Sequence, residues 1–439
     1  MASTVIIGAG IVGLSTAYYL LKQQPGSSIH LVDSSPELFA SASGYAGGFL
    51  IRSWFEGSPG VAALAALSFD EHKTLAEREN GRDKWRYGSA VALEYGRTRR
   101  SGDGGKDWMR QGGSRAGLVR ERRTAEGADV PAWLKRSDGD IIAVIDSGDG
   151  AAILDPLKLC HFLLEKCKGE GVQVHYPATV LSVGTDVRDE LSYVRIGYTD
   201  SSTETEIPAT RMLLSAGAWT PRVFASLFPS SSLDVPISSL AGHSLVIKKP
   251  GHDDDGDDES ETEIKNHMVF SSLPDSSISP EFCSRPGGVV YFAGVNSAAI
   301  PLPQIATDAA TDAATDADSL RLLDSAARAV VELDEGTTDL DVVRQGVCFR
   351  PVTPEGTPYI DRLADEQLGS GIRTRPGAGG GVFLAAGHGP WGISQGLGTG
   401  LVVAELMAGK ETSVDISGLG LPQETLMPHG GDVFSMPAP

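Results

Sequence analysis

The sequence predicts an α/β protein in which short parallel strands alternate with helices. Two stretches carry that prediction, one at each end of the chain. Residues 4–33 read as strand, glycine turn, helix and strand, and residues 382–407 as buried strand, glycine turn and helix. Between them lie further stretches that read as short strands, at residues 172–175, 178–183 and 211–215. Strand and helix patterns alternate when parallel strands are joined by crossovers outside the sheet.

The N-terminal unit is the more specific of the two. An apolar run at residues 5–7 enters a turn with Gly8, Gly10 and Gly13 at G-x-G-x-x-G spacing, with Ile11 and Val12 inside it. A helix pattern runs to about Lys22, with Leu14, Ala17, Tyr18 and Leu21 on one face, until Pro25-Gly26 breaks it. A second apolar run, residues 29–32, ends on Asp33 and Ser34. An acid about twenty residues past the last glycine completes the dinucleotide fingerprint. Gly8 makes the turn, Gly10 admits a pyrophosphate, and Gly13 lets helix and strand pack. The helix N-terminus offers N–H groups to phosphate, and Asp33 can accept from a ribose diol.

The chain has 439 residues, 41% of them apolar, and a formal charge of −20. That length suits two domains, or one large domain with insertions. The acidic balance excludes general nucleic-acid binding. No run reaches the roughly 18 uncharged apolar residues of a membrane span. The first strand starts by residue 4, so no signal or transit peptide is expected and a cytoplasmic location follows. Cys160, Cys167, Cys283 and Cys348 show no C-x-x-C spacing, which fits a reducing compartment and predicts no metal site.

Residues 41–48, SASGYAGG, lack helical or strand periodicity. Such backbone can lie against a flat or charged ligand, with Gly47 and Gly48 permitting the approach; a plain loop is the alternative. Arg52 lies in the apolar run 49–55 and needs an anionic partner or a route to solvent. Residues 61–78 read as helix, and 85–95 and 141–145 as strands. Residues 97–123, with nine Lys or Arg against three acids, read as a solvated loop, with a basic docking site as the alternative. Asp155 and Pro156 open a helix as N-cap and first helical residue, running to about Lys168. Residues 193–198 and 205–207 form a hairpin. The strand at 211–215 runs into Ala216, Gly217, Ala218 and Trp219, where small residues let backbone approach a dinucleotide. Residues 233–247 read as strand, turn and strand, and 288–293 as strand. Eight acids in residues 252–263 form a solvated excursion; a calcium loop is the alternative, against missing EF-hand spacing. Residues 306–318 repeat Ala-Thr-Asp as a linker or helix start, and 319–333 form an amphipathic helix. In residues 341–360 a strand gives way to turns. The strand at 382–386 enters Gly387-His388-Gly389-Pro390-Trp391-Gly392-Ile393, and a helix begins at about Gly396.

GAGIVG, SASGYAGG, Asp155-Pro156, LLSAGAW, CFRPVTPEGTPYI and AAGHGPWGISQGLGTG occur in that order. The set resembles the D-amino-acid-oxidase-like family of FAD-dependent oxidoreductases, which includes glycine oxidase, sarcosine oxidase and D-amino-acid dehydrogenase. The likeness spans most of the chain and lapses in residues 97–123, 250–266 and 303–318. GYAGGF with GHGPWGIS looks closest to an oxidoreductase group known partly through relatives in endosomal trafficking and respiratory-complex assembly. The resemblance implies a three-layer, Rossmann-like FAD-binding domain built from residues 1–84, 151–220 and 341–439. A second, antiparallel-sheet α+β substrate domain, residues 85–150 and 221–340, would cover the isoalloxazine ring. It further implies that Gly8, Gly10, Gly13 and Asp33, with Ile11, Val12 and Ser34, hold the ADP half. Ser43, Gly44, Gly47 and Gly48 would lie along pyrophosphate and flavin, Val180 would meet adenine, and Ala216, Gly217 and Trp219 the dinucleotide. Gly387, His388, Gly389, Gly392 and Ile393 would sit at the flavin ring, where a helix N-terminus stabilises negative charge.

In glycine-oxidase-like members the arginine of R-P-x-T-x-[DE]-G clamps the substrate carboxylate; here it is Arg350. A bidentate pair would orient a planar anion over the ring, and an arginine paired within the core is the alternative. Cys348 matches the cysteine that forms a thioether to flavin in sarcosine-oxidase-like members; a small buried residue is the alternative. Trp391 replaces the lysine of those members. That counts against sarcosine and suggests a bulkier or more apolar amine. The expected catalytic set is Arg350, Arg52, His388 and Trp391. The expected reaction is oxidation of a C–N bond in an amino acid or a secondary or primary amine by hydride transfer to flavin N5, with O2 or another electron acceptor. No acid–base residue is required, since a neutral amine can give hydride directly. The reading from another class is a flavoprotein that serves as an assembly or trafficking factor through residues 97–123 and 250–266. A nicotinamide-dependent monooxygenase is disfavoured, because no second G-x-G-x-x-G unit follows a strand.

Overall fold

The computed structural model describes residues 3–422 except 56, 97–108, 111–112, 120–122, 125–128, 250–265, 273–277, 286–287, 311–315 and 334–338. Most of the basic 97–123 segment and the acidic 252–263 segment, and part of the Ala-Thr-Asp repeat, therefore lie outside the described residues, with the docking and calcium readings attached to them.

Thr4–Ile7 is buried throughout, at the centre of a six-stranded sheet. It pairs in parallel with Ile29–Val32 on one side and Arg211–Leu214 on the other. Gln173–His175 and Gly381–Ala386 extend the parallel set, and Tyr359–Leu363 closes one edge antiparallel. Side chains alternate across the sheet with a period of two. Ile6, Leu31, Leu213 and Phe383 face a core shared with the helices Ile11–Leu20, Pro156–Gly169 and Gly392–Met407. Val5, Ile7, Val32, Met212 and Leu384 face the opposite core. There the antiparallel sheet of Ala178–Thr185, Leu191–Tyr198 and Glu204–Pro208 supplies Val180, Val194 and Ile207. The result is the three-layer arrangement expected. Burial on both faces explains why Thr4–Ile7, Arg211–Leu214 and Gly381–Ala386 read as nearly continuous apolar runs. Asp155 caps its helix by accepting from the Lys158 N–H at 3.1 Å. The last helix starts at Gly392, earlier than its periodicity suggests.

A second sheet of ten strands is mainly antiparallel. Its ordered path is Val342–Val352, Ser238–Lys248, Val289–Ser297, Glu281–Arg285, Asn266–Ser272, Gly88–Gly96, Ile141–Asp146 and Arg123–Thr124. The helix Ala317–Val330 packs on its outer face through Leu323, Ala327 and Val330, against Leu245, Phe282 and Phe292. Its inner face, with Met268, Phe270, Tyr291 and Ala293, meets Phe49 and Ile51.

Four details differ from the sequence reading. Residues 233–237 form no strand, so a single strand Ser238–Lys248 replaces the expected pair. Asn266–Ser272 and Glu281–Arg285 were not foreseen; both are buried on both faces, so neither shows polar alternation. Ala42–Tyr45 makes a single helical turn, too short to show a period. Val342–Val352 pairs with Ser238–Lys248 of the large sheet rather than with the nucleotide-type sheet. No helix among the described residues is long and apolar enough to cross a membrane.

Candidate active site

Ile7, Val32, Ser215 and Ala386, at the carboxyl ends of the central parallel strands, all line one elongated cavity of about 470 Å³. Crevices beyond strand carboxyl ends are where open α/β sheets bind ligands. One end of the cavity is lined by Asp33, Ser34, Val180 and Arg222, the other by Arg115, Glu281, Arg350 and His388.

The first end is built mainly from backbone. Gly8 sits at φ +102°, and a Cβ there would lie 2.6 Å from the Ser215 carbonyl oxygen. Gly10 precedes the helix Ile11–Leu20, which has no side-chain cap from that position and no acid in its first turn. Ser43, on the helical turn Ala42–Tyr45, accepts from the Ile11 N–H at 2.9 Å. Asp33 accepts from the N–H groups of Ala9 and Ser35, each at 2.9 Å. Burial raises its pKa above the usual carboxylate value, and these two bonds oppose the rise. A glycine turn, a helix N-terminus and a half-satisfied carboxylate are the donors and acceptors that a dinucleotide's phosphates and ribose need. The residues present therefore fit FAD.

Of the residues expected at the cofactor, Gly8, Gly10, Ile11, Val12, Asp33, Ser34, Ser43, Gly47, Gly48, Val180, Ala216, Gly217, Trp219, Cys348, Gly389, Gly392 and Ile393 line the cavity. Gly13, Gly44 and Gly387 do not. They permit packing instead: a Cβ would come 2.1 Å from the Gly8 oxygen, 2.3 Å from the Phe39 oxygen and 2.5 Å from the Thr353 methyl, respectively.

The second end is built from side chains. Arg350 stands on Val342–Val352 and donates to Asn296 Oδ1 at 2.6 Å. Its guanidinium crosses Gly242, where a Cβ would lie 1.6 Å from Nη1. Among the described residues no carboxylate pairs with it. His388 is buried, with Nε2 2.9 Å from Thr399 Oγ1. Burial pushes its pKa down to about 4, so it is neutral near pH 7. The helix Gly392–Met407 starts beside it, presenting its N-terminus to the cavity. Cys348 lines the wall, and burial pushes its thiol pKa up.

Two expected catalytic residues lie elsewhere. Arg52 is on the surface, paired by Nε and Nη2 with the two oxygens of Asp70, each at 3.1 Å. It found both the anion and the solvent that its apolar neighbours made necessary. Trp391 does not line the cavity. Its buried ring packs edge-on to Phe55, with centroids 4.8 Å apart, and lies under the Arg115 guanidinium. It is a second layer behind the wall.

Three features were missed. Arg115 and Glu281 form a buried, two-point ion pair on the cavity wall. Arg115 belongs to a stretch whose composition reads as solvated loop, and its one signal was the Gly113-to-Val119 return to small and apolar residues. Gly242 carries no motif at all. Gln304, Ile305 and Ala306 close over the nucleotide end. They are held by Trp219 Nε1 and Arg222 Nη1, which donate to the Pro303 oxygen at 2.9 and 3.1 Å, and by the Thr307 N–H, which donates to Ser35 at 3.2 Å. The apolar IPLPQI run before the Ala-Thr-Asp repeat was the available sign.

The sequence profile of the DAO family, described as FAD dependent oxidoreductase, matches residues 3–406. A chain of Schizosaccharomyces pombe assigned as an oxidoreductase is 26% identical over 434 residues, covering 94% of this chain and 96% of that one. Among solved structures, glycine oxidase from Geobacillus kaustophilus superposes with a TM-score of 0.69 at 18% identity, covering 98% of this chain and 99% of that one. Iminodiacetate oxidase from Chelativorans sp. BNC1 gives 0.67 at 20% identity, covering 95% and 98%. At these identities the structural likeness establishes the fold.

Proposed function

This chain belongs to the DAO family of FAD-dependent oxidoreductases, and from that premise we propose that it oxidises the C–N bond of an amino acid, or of a related secondary or primary amine. Bound FAD would supply the oxidising power, accepting a hydride at N5 from the carbon beside nitrogen and passing electrons to O2 or another acceptor. Everything else falls to the chain's own residues. Gly8, Gly10, Ser43 and Asp33 would hold the nucleotide half, under the 304–306 strap. The N-terminus of Gly392–Met407 would favour negative charge at the ring. Neutral His388 would orient through Thr399 without adding a competing cation. Phe49, Tyr291 and Ala293 give the wall its apolar character.

The observation that carries the reading is Arg350. It is a half-buried guanidinium on a cavity wall whose side-chain partner is the neutral amide of Asn296. A cation so placed stabilises a bound anion more than an exposed one would, because water competes less. In domain terms we propose that residues 1–84, 151–220 and most of 341–439 serve the cofactor. Residues 85–150 and 221–340, joined by the strand Val342–Val352, serve the substrate. The finer expectation of a thioether at Cys348 is decided by acid precipitation. A buried, protonated thiol is a poor nucleophile, so the yellow colour should leave with the supernatant; colour in the pellet that Cys348→Ala releases would establish the link. The test of the function itself is a screen of amino acids and amines for anaerobic bleaching of the flavin. An amino acid should bleach it, and a yellow protein that nothing in the panel bleaches would remove the proposal.

A further inference from the structure

Among the described residues lining the cavity, two carry carboxylates, Asp33 and Glu281. Asp33 is at the nucleotide end, with both oxygens engaged by backbone. Glu281 is at the substrate end, on the strand Glu281–Arg285 and opposite Ala293 of Val289–Ser297. Its oxygens accept from Arg115 Nε at 3.0 Å and Nη2 at 2.9 Å. Both side chains are over nine-tenths buried. The Arg115 guanidinium lies 4.4 Å from the Trp391 ring centroid and 5.3 Å from that of Phe49.

An ion pair in such a place is a weak device for stability. Removing two charges from water offsets most of their attraction, and apolar residues of similar size would serve as well. A carboxylate has about four lone-pair positions, and the fork of Arg115 takes two. The others belong to a group that lines both the main cavity and a small recess beside it. That recess is bounded by Ala293, Asn296, Arg350 and Pro390 as well. Arg350 reaches over Gly242 toward Asn296, on the same sheet face as Glu281. On the side toward Arg350 the strand position facing Glu281 carries only the methyl group of Ala293, and on the other side it carries Phe270. The site thus offers a cation with a neutral partner and, near it, a carboxylate with spare acceptors, separated by a small side chain.

We infer that Glu281 receives the substrate's amino group, that Arg115 holds the carboxylate in place for it, and that the ligand class is the α-amino-acid zwitterion rather than a simple amine or a 2-hydroxy acid. The inference rests on the proposed oxidation and adds a second anchor to it. Arg350 takes the carboxylate and Glu281 the ammonium, which passes one proton to solvent so that the neutral amine can release hydride. Two anchors fix the carbon between them, as hydride loss from that carbon requires.

The test titrates FAD-loaded protein with the common amino acids of both configurations, each beside its deaminated acid, such as leucine with 4-methylpentanoate and proline with cyclopentanecarboxylate. Half-saturation of anaerobic bleaching reports the amino acid. The shift in flavin absorbance reports the deaminated acid, which cannot be oxidised. Native protein should favour the amino acid at least tenfold. Glu281→Gln should weaken the amino acid tenfold or more and leave the deaminated acid within twofold, whereas Arg350→Ala should weaken both. Should Glu281→Gln fail to fold around a stranded Arg115, Glu281→Asp keeps the charge, withdraws it by one methylene, and should show the same selective loss at smaller size. Equal affinity of native protein for both members of each pair, or equal weakening of both in the Glu281 variant, overturns the inference alone. No response to any compound overturns it together with the proposed function.

Discussion

At the Asp33 end the cavity wall is backbone drawn largely from one continuous stretch, residues 8–48; at the Arg350 end it is side chains from Arg115, Glu281, Cys348, Arg350 and His388, which the fold gathers from across more than half the chain. The first kind of wall is a local property. A turn, a helix start and an acid at fixed spacing must fold next to one another, whatever the rest of the chain does. The second kind depends on strand register. Arg350 stands above Gly242 only because Leu240 pairs with Arg350 and Gly242 with Cys348.

The difference predicts that damage at the two ends should separate cleanly. The largest effect belongs to Gly10. A Cβ there meets Ser43 Oγ at 3.2 Å, and a branched side chain would stand where the pyrophosphate must pass. Gly10→Val should give a folded, colourless protein, checked by circular dichroism and by flavin in the extract. A yellow variant would break the distinction between the ends. Next is Gly242→Val. Its Cβ would displace the guanidinium of Arg350, a flexible side chain, so the fold and the FAD should persist. Oxidation of an amino acid should fall roughly 30- to 1,000-fold in kcat/KM, the equivalent of about 2–4 kcal/mol for a charge-assisted pair. Loss of colour here would mean that the ends are not independent.

A smaller effect appears in stability against pH, where two buried histidines and Asp33 differ in sign. Burial holds His72 and His388 at pKa values of about 4, against about 6.5 for an unfolded histidine. As pH falls below about 6.5 the unfolded chain takes up protons that the native state refuses. Stability from these groups is therefore complete above that pH, declines below it, and is lost by about pH 4. Each contributes on the order of 3 kcal/mol of that stability. Asp33 is raised by burial and acts the other way, losing stability as pH rises through its pKa. Melting temperatures between pH 8 and 4 should fall, and His388→Asn should flatten the fall.

What the sequence made legible follows the same division. The three-layer fold could be read because Thr4–Ile7, Ile29–Val32 and Gly381–Ala386 are buried on both faces and their turns carry glycine at informative spacing. Arg350 could be found because it sits within a motif. Glu281 could not, because its strand was unforeseen and its partner lies in a loop rich in charge. Arg52 misled because an apolar neighbourhood in sequence says nothing about the direction of a side chain, and Asp70 lay one helix away. Trp391 sits at the right motif position, yet its ring turns away from the cavity to Phe55 and Arg115.

On the proposed function, Arg350 clamps a carboxylate beside the flavin. The most direct measurement compares an amino acid with its decarboxylated amine, in native protein and in Arg350→Ala, each loaded with FAD. Native protein should oxidise the acid with a kcat/KM roughly 30- to 1,000-fold above that for the amine, as expected from about 2–4 kcal/mol. Arg350→Ala should lose that preference while staying yellow, and Arg350→Lys should restore only part of it, since the fork geometry is gone. Equal oxidation of acid and amine by the native protein would contradict the claim and leave Arg350 as a structural partner of Asn296.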